Sequence, residues 1–367
     1  MQMTDSLNVG GAERVAVNLA NYLPRDLYDN FLCTTRREGP LAGLIAPDVG
    51  RLQLARKWRF DPQAIRRLVE FVRSHEIQIL HAHGTAVFIA AAAAHFPPYP
   101  VVVWHDHFGR YAVEQRPAWL YRLAVSGIGA VIAVNEPLAE WSRAKLRIPA
   151  QRVWYVPNFV GQSESNGHRL ELPGKRGKRI VCIANFRPEK DHLTLLHAMS
   201  LVRHSAHDVH LILVGQKGDP SYFEVIQREI IAQGLSDNVS VLGPRTDVLD
   251  ILRACDIGVL SSRSEGLPLA LIEYGITGLP SVATQVGQCG EVLEEGRSGV
   301  LVPPADPRRL AEAISSILCS SDRRAMLGKR FKQWVEKRYN PKTTIRLVSN
   351  IYRTLVPARY MGARVHE

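Results

Sequence analysis

The chain has 367 residues, 46% apolar, 22% charged and 7% aromatic, with 27 Gly and 22 Pro; this suits two domains with cores of their own and excludes a disordered or fibrous chain. The longest uninterrupted apolar run is Ala86–Ala94, far short of the roughly 20 residues a spanning helix needs, and Thr4, Asp5 and Ser6 break any leader-like stretch at the start. Net charge is +11, yet residues 323–367 hold 12 Lys/Arg and two Glu, a balance of +10 that leaves the preceding 322 residues near neutral; this excludes a general nucleic-acid coat and leaves a local anionic partner, such as a membrane surface, or a solvated helix face.

Short β-rich runs alternate with helical patterns along the first half. Asn30–Thr34, Ile77–His81, Val101–Trp104, Ala130–Val134 and Val153–Val156 are strand candidates. Ala12–Leu23, Pro62–His75, Pro117–Val125 and Pro137–Leu146 are helical, three of them opening at the proline that the first helical position tolerates best. A first strand should precede the glycine turn at Gly10–Gly11, but only Met1–Leu7 is available and it is polar from Thr4. The expectation is either a very short first strand or a true start further upstream.

Gly161–Lys178 is polar, rich in Gly and Ser and aperiodic, the best linker candidate. Strands resume at Arg179–Ala184, His210–Gly215, Val239–Leu242, Ile257–Ser261, Ser281–Thr284 and Val300–Val302. The helix over 306–320 is clear, with Asp306 as cap, Pro307 at the first position and Leu310, Ala313, Ile314, Ile317 and Leu318 in one stripe. Buried parallel strands with helical crossovers give an α/β chain of two doubly wound, Rossmann-like domains, expected to face each other across a ligand cleft at the carboxyl ends of both sheets. The expected division is 1–165, 166–340 and a basic helix over 341–367. The five cysteines, Cys33, Cys182, Cys255, Cys289 and Cys319, are scattered without a C-x-x-C pair and read as reduced thiols of a cytoplasmic protein.

Chemistry concentrates after strand ends. Glu265 and Gly266 follow the strand IGVLS and precede a helix opening near Pro268, where free backbone N–H groups and the helix dipole attract an anion. A carboxylate beside an anion site makes sense for a ligand that also carries hydroxyls: a sugar nucleotide offers diphosphate to the amides, and sugar and ribose hydroxyls to Glu265 and Glu273. Arg187 and Lys190 leave the preceding sheet edge in NFRPEK and can neutralise phosphates. Gly10 and Gly11 open a helix but form neither G-x-G-x-x-G nor a P-loop. His81/His83 and His105/His107 each place two imidazoles on one strand face, but no third ligand follows at metal-site spacing, so no metal is expected. His105, just past VVVW, reads as a hydrogen-bonding group or proton carrier aimed into the cleft, with His107 as its competitor.

These residues together resemble the GT-B glycosyltransferases of family 4, from SLNVGGAER through VVVWH, VIAV, VPN and NFRPEK to EGLPLALIE, GLPSVAT and GVLVPP. The resemblance covers nearly the whole chain and is stronger after Arg179. It implies a retaining, metal-independent and cofactor-free transfer from a UDP- or GDP-sugar to a glycan or lipid-linked acceptor, in cell-envelope or exopolysaccharide synthesis. It further implies that Glu265 meets donor-sugar hydroxyls, that the amides of Gly266 and Leu267 meet diphosphate or sugar, and that Glu273 holds the ribose. Arg187 and Lys190 would neutralise the leaving diphosphate, Gly10 and Gly11 would form the loop over the donor phosphates, and His105 would be the active-site histidine. Asn185 stands where the family often has Arg. The family's final helix commonly crosses back to the N-terminal domain, here with Ile345, Val348, Ile351 and Leu355 inward, while the basic face is left for the inner membrane surface. The rivals are a sugar-nucleotide epimerase of the same fold, a phosphorylase, for which no pyridoxal-phosphate lysine environment is evident, and a non-catalytic RNA-binding protein using the basic tail.

Overall fold

The structure, a computed structural model, describes residues 1–58, 60–109, 116–161 and 170–356. The chain divides into two compact units: Met1–Gly161 with the segment from Pro341 onward, and Gln162–Asn340. Residues 162–169 of the polar linker candidate lie outside the described residues.

The first unit is built on seven parallel strands: β1 (Gln2–Ser6), β2 (Phe31–Arg37), β3 (Gly50–Gln53), β4 (Ile79–His83), β5 (Val101–Asp106), β6 (Ile128–Ala133) and β7 (Val153–Tyr155). Their order is β3-β2-β1-β4-β5-β6-β7, so the winding reverses between β1 and β4. Helices α1 (Gly11–Tyr22), α2 (Pro62–Ser74), α3 (Val87–Ala93), α4 (Ala118–Arg122) and α5 (Glu136–Leu146) carry the crossovers.

The first strand is short, as its five residues allow, and central in spite of its polarity, because its polar side chains find partners. Asp5 accepts from the hydroxyls of Thr35 and Thr85, and Gln2 bonds across the sheet face. Strand β3, GRLQ, lies at the sheet edge with exposed residues alternating; it carries too little apolar signal to stand out in the sequence. Strand β5 runs on to Asp106 because β6 continues to pair with it, His105 opposite Ile132 and Asp106 opposite Ala133. His105 therefore lies inside a strand and is buried, not just past one as expected.

The sheet has two different faces. Met3, Leu80, Ala82, Val102 and Trp104 join one apolar core with α2, α3 and α5. The alternate residues Gln2, His81, His83 and His105 take the other face, as the two-residue period of a strand requires. Asp106 turns away from the histidines and forms a bidentate pair with the buried Arg116. That guanidinium lies 3.7 Å from the Trp141 ring centroid.

The second unit has six parallel strands: β8 (Arg179–Ile183), β9 (His210–Val214), β10 (Val239–Gly243), β11 (Ile257–Leu260), β12 (Ser281–Thr284) and β13 (Val300–Val302). Their order is β10-β9-β8-β11-β12-β13, reversing between β8 and β11. Two groups of helices flank it: α6 (His192–Ser205) with α7 (Pro220–Ala232) and α11 (Pro307–Leu318), and α9 (Leu269–Thr277) with α8 (Val248–Arg253) and α12 (Ser321–Arg338); α10 (Cys289–Val292) is a single turn. Helix α11 has Asp306 accepting from Arg309 N at 3.0 Å, and the stripe read from the sequence is buried.

The last helix among the described residues, α13 (Pro341–Leu355), belongs to the first unit. Its buried residues include Ile345, Val348 and Ile351, joined by Tyr352. The aromatics interleaved with the C-terminal charges are largely spent on packing: Phe331, Tyr339 and Tyr352 are buried, and Trp334 donates to Glu291 O; Tyr360 lies outside the described residues. Arg330 and Arg338 pair with Glu294 and Glu291, so part of the basic balance is neutralised locally. No helix among the described residues is long and apolar enough to cross a membrane.

Because Asp106 and Arg116 are both nearly covered, removing one partner strands a buried charge. Arg116→Met is expected to cost about 3–5 kcal/mol and Asp106→Asn/Arg116→Met much less. Urea unfolding measures both, and a loss below about 1 kcal/mol in the single variant would show that the pair contributes no more than an exposed one.

Candidate functional site

In the second unit the two strands at the reversal send their loops to a common point. The loop after β8 is pinned to its neighbour: Asn185 Oδ1 accepts from Gln216 N at 2.9 Å, and Phe186 N donates to Gln216 O. Phe186 is fully buried against His192 and Phe223. Anchored there, residues 188–190 form one 3-10 turn, and Asp191, in the left-handed region at φ 46°, caps α6. The loop after β11 is laced to that turn. Arg263 N donates to Glu189 O at 2.8 Å, Ser261 Oγ to Lys190 O at 3.1 Å, and Arg263 Nε to Asp191 Oδ2 at 2.8 Å.

Lys190 and Glu265 meet in this lattice. Lys190 Nζ donates to Glu265 Oε1 at 2.7 Å, and Ser262 Oγ donates to the same oxygen at 2.6 Å. Glu265 is 6% exposed. Gly287, at φ 51°, lies against it: a Cβ there would come 2.1 Å from Glu265 O, so only glycine fits both the conformation and the space. Gln288 N donates to Gly266 O at 3.1 Å, holding the loop from the other side. Under the loops, the Tyr274 hydroxyl accepts from Ile183 N and donates to Val259 O, spanning β8 and β11 where they part.

The other expected residues divide. Leu267 is buried beside the start of α9, and Glu273 is nearly covered within that helix. Arg187 is exposed on the same turn as Lys190. In the first unit Gly10 precedes α1 in extended conformation with no side-chain cap, and Gly11 begins that helix. An extended backbone suits any residue, so Gly10 is not required by its dihedrals.

The first unit's reversal point holds a cluster the sequence reading did not assemble. His83 pairs in register with His105, and Gln2 with His81, so three strands bring their polar faces together. His83 Nε2 bonds Gln2 Oε1 at 3.0 Å and His83 Nδ1 bonds His107 Nε2 at 2.9 Å. Gln2 Nε2 donates to the Tyr352 hydroxyl at 3.0 Å, which lies 2.5 Å from His81 Nδ1; His81 Nε2 bonds His105 Nδ1 at 3.0 Å. His105 Nε2 is buried with no partner among the described residues, whereas His107 Nε2 is engaged.

Strand adjacency brings together imidazoles that sequence spacing does not connect. Nitrogens of His81, His83 and His105 lie within 4.8 Å of one another and are the residues that could hold a metal ion, although four of their six nitrogens are committed to the bonds just described and a fifth closes the His81–His105 contact.

Residues 9–163 match the family described as Glycosyltransferase Family 4, and residues 177–320 match Glycosyl transferases group 1. The chain belongs to the GT-B glycosyltransferases of family 4. Among its relatives, an exopolysaccharide phosphotransferase of Streptomyces coelicolor is 30% identical over 53% of this chain and 20% of its own length. A D-inositol 3-phosphate glycosyltransferase of Corynebacterium jeikeium is 26% identical over 57% of this chain and 51% of its own. The chain thus spans about half or less of the length of these curated relatives. An Anabaena protein crystallised with UDP and glucose superimposes with a TM-score of 0.78 at 20% identity, over 96% of this chain and 99% of that one.

Within this family 4 chain, several site residues escaped the sequence reading. Asp191, Ser262 and Arg263 lie in segments that drew notice, and Asp191 directly before a helical run carried a cap signal; their mutual bonds had none. Gln2 and Tyr352 lie 350 residues apart, beyond any local pattern. Buried thiols add no nucleophile: Cys182 and Cys255 are pushed up to about 12 by burial.

Burial holds His81, His83 and His105 well below the usual imidazole range and pushes His107 down to about 3. In the unfolded chain all four titrate near 6.5. Below that pH the unfolded state binds more protons, so stability falls as pH drops, by up to about 1.4 kcal/mol per pH unit for each histidine. The urea midpoint should be level above pH 7.5 and fall steeply towards pH 5.5. A midpoint unchanged across that window would mean the cluster is not buried and neutral.

Proposed function

We propose that the protein is a retaining glycosyltransferase that moves a sugar from a UDP- or GDP-sugar to a glycan or lipid-linked acceptor in building a cell-envelope or exopolysaccharide glycan. The observation that carries this reading is the Lys190–Glu265 pair at the reversal point of the second sheet, the position where open α/β sheets bind ligands. A cation and a carboxylate side by side match a donor with diphosphate at one end and sugar hydroxyls at the other. The relatives in inositol phosphate and exopolysaccharide chemistry support the substrate class.

On donor binding, the diphosphate takes over the Lys190 ammonium, and Glu265, still held by Ser262, turns its acceptor oxygens to sugar hydroxyls. Exposed Arg187 and the amides of Gly266 and Leu267 add positive potential for the charge that develops on the departing diphosphate. Glu273 serves the ribose. In a front-face displacement the anomeric carbon–phosphate oxygen bond breaks as the bond to the acceptor oxygen forms, and the leaving oxygen receives the acceptor's proton. His105 offers to the substrate its Nε2, which has no partner among the described residues. The positive groups do the work a divalent cation would otherwise do.

Incubation with a panel of UDP- and GDP-sugars tests the reading: release of UDP or GDP that requires an acceptor supports it. No release with any donor, or an isomerised sugar nucleotide without acceptor, overturns it. Activity should survive EDTA. Lys190→Ala should weaken donor binding by about 10- to 150-fold, the equivalent of about 1.5–3 kcal/mol for a charge-assisted bond, and unchanged affinity by calorimetry removes Lys190 from the site. Glu273→Ala should weaken binding of the free nucleotide, whereas Glu265→Ala should spare it and depress transfer.

Exposed Lys and Arg along α12 and α13, among them Lys329, Lys332, Lys337, Lys342 and Arg346, support a peripheral position at an anionic membrane face, at about 1 kcal/mol for each charge that faces it. Co-sedimentation with anionic but not neutral vesicles, lost at high salt, is the expected result. Equal, negligible binding to both makes these charges a solvated surface.

A further inference from the structure

The chain of bonds from α13 into the histidine cluster has a direction. A carboxamide nitrogen can only donate, so the bond from Gln2 Nε2 uses an acceptor lone pair of the Tyr352 oxygen. The phenol's single proton is then left for His81 Nδ1, 2.5 Å away. A neutral imidazole that accepts at Nδ1 carries its proton at Nε2, and His81 Nε2 faces His105 Nδ1 at 3.0 Å. His105 must therefore accept at Nδ1 and carry its own proton at Nε2, the buried nitrogen with no partner among the described residues. The second branch runs the same way: the Gln2 carboxamide oxygen accepts from His83 Nε2, so His83 Nδ1 accepts from His107 Nε2.

We infer that Tyr352, acting through His81, is a positioning residue that fixes His105 in the Nε2–H tautomer, so that His105 meets substrate as a neutral hydrogen-bond donor and not as a base. Gln2 sets the sense of the chain by filling an acceptor lone pair of the phenol oxygen. The tautomer rests on the Tyr352 hydroxyl donating to His81 Nδ1 across the 2.5 Å contact; its effect on turnover rests on the transferase reading proposed above. Helix α13 thereby does more than cover a sheet face: it delivers one hydroxyl, two imidazoles away from the nitrogen it controls.

Long-range proton–nitrogen spectra of the full chain labelled with 15N-histidine test this without substrate, with His105 assigned by its loss in His105→Gln. The expected wild-type signature is a protonated Nε2 and a bare Nδ1 on His105. Tyr352→Phe removes the proton that holds His81 Nδ1 as acceptor, and the His105 shifts should move towards a mixture of tautomers. A His105 protonated at Nδ1 in the wild type, or shifts unchanged in Tyr352→Phe, overturns the inference.

Where sugar transfer is measurable, Tyr352→Phe should lower kcat by roughly tenfold or more with KM for the donor within about twofold, an orientation effect and not a loss of binding. His81→Leu should do the same. His81→Gln, which keeps an N–H aimed at His105 Nδ1, should recover most of the loss; if it recovers nothing, the side chains merely pack. A tautomer that shifts while kcat does not also overturns the positioning role. If no form of the protein transfers sugar, the transferase reading falls while the spectra still decide the tautomer.

Discussion

Where a parallel sheet reverses its winding, the loops of two adjacent strands diverge and leave a notch that no further strand fills. Buried polar atoms at such a point must be satisfied by something other than the ladder. Both units of this chain are organised around that constraint. In the second, the hydroxyl of Tyr274 bridges Ile183 N and Val259 O beneath the notch, and the loops above are laced by Arg263, Asp191 and Ser261. In the first, the same place between β1 and β4 is filled by Gln2, two H-x-H pairs and a tyrosine from the other end of the sequence.

The rigidity of each notch comes from apolar packing one step removed. Phe186 is buried between His192 and Phe223, which fixes the loop whose last residue is Lys190. Trp104, between His105 and Val103 in β5, faces the opposite core and donates to Gly84 O at 3.0 Å. A strand that buries Trp on one side and His on the other cannot slip its register by one residue without exchanging the two faces. The tryptophan therefore sets where the histidine lies.

This division explains what could be read from the sequence. Strand and helix alternation, the stripe on α11 and the Asp306 cap depend on neighbours in sequence, and they are visible there. So was the loop that carries Glu265, because a strand, a Gly and a Pro-led helix announce it. The length of β5 was not, since His105 and Asp106 are strand residues only because β6 offers them partners. Nor was the edge strand β3, whose GRLQ has no apolar run. The histidines were noted two by two, but their union depends on β4 lying next to β5, a matter of topology and not of spacing. Tyr352 reads in sequence as one more residue of an amphipathic basic helix; only the return of α13 to the first unit gives it a role.

The two notches solve the problem of buried polarity in opposite ways, and the difference bears on what each can do. In the second unit the Lys190 side chain is 24% exposed and that of Glu265 only 7%; a carboxylate so covered would be costly alone, and the ammonium offsets that cost. Such a pair is exchangeable, because a ligand carrying both negative charge and hydroxyls can satisfy each member and part them. In the first unit the imidazoles lie too close together, and too deep, to carry charge at once. His105 and His107 have ring centroids 4.1 Å apart. They stay neutral and are ordered by the direction of their hydrogen bonds. A paired notch suits a charged leaving group, which changes its partners during reaction. A neutral, directed one suits a group that must offer a single proton in one orientation and keep it.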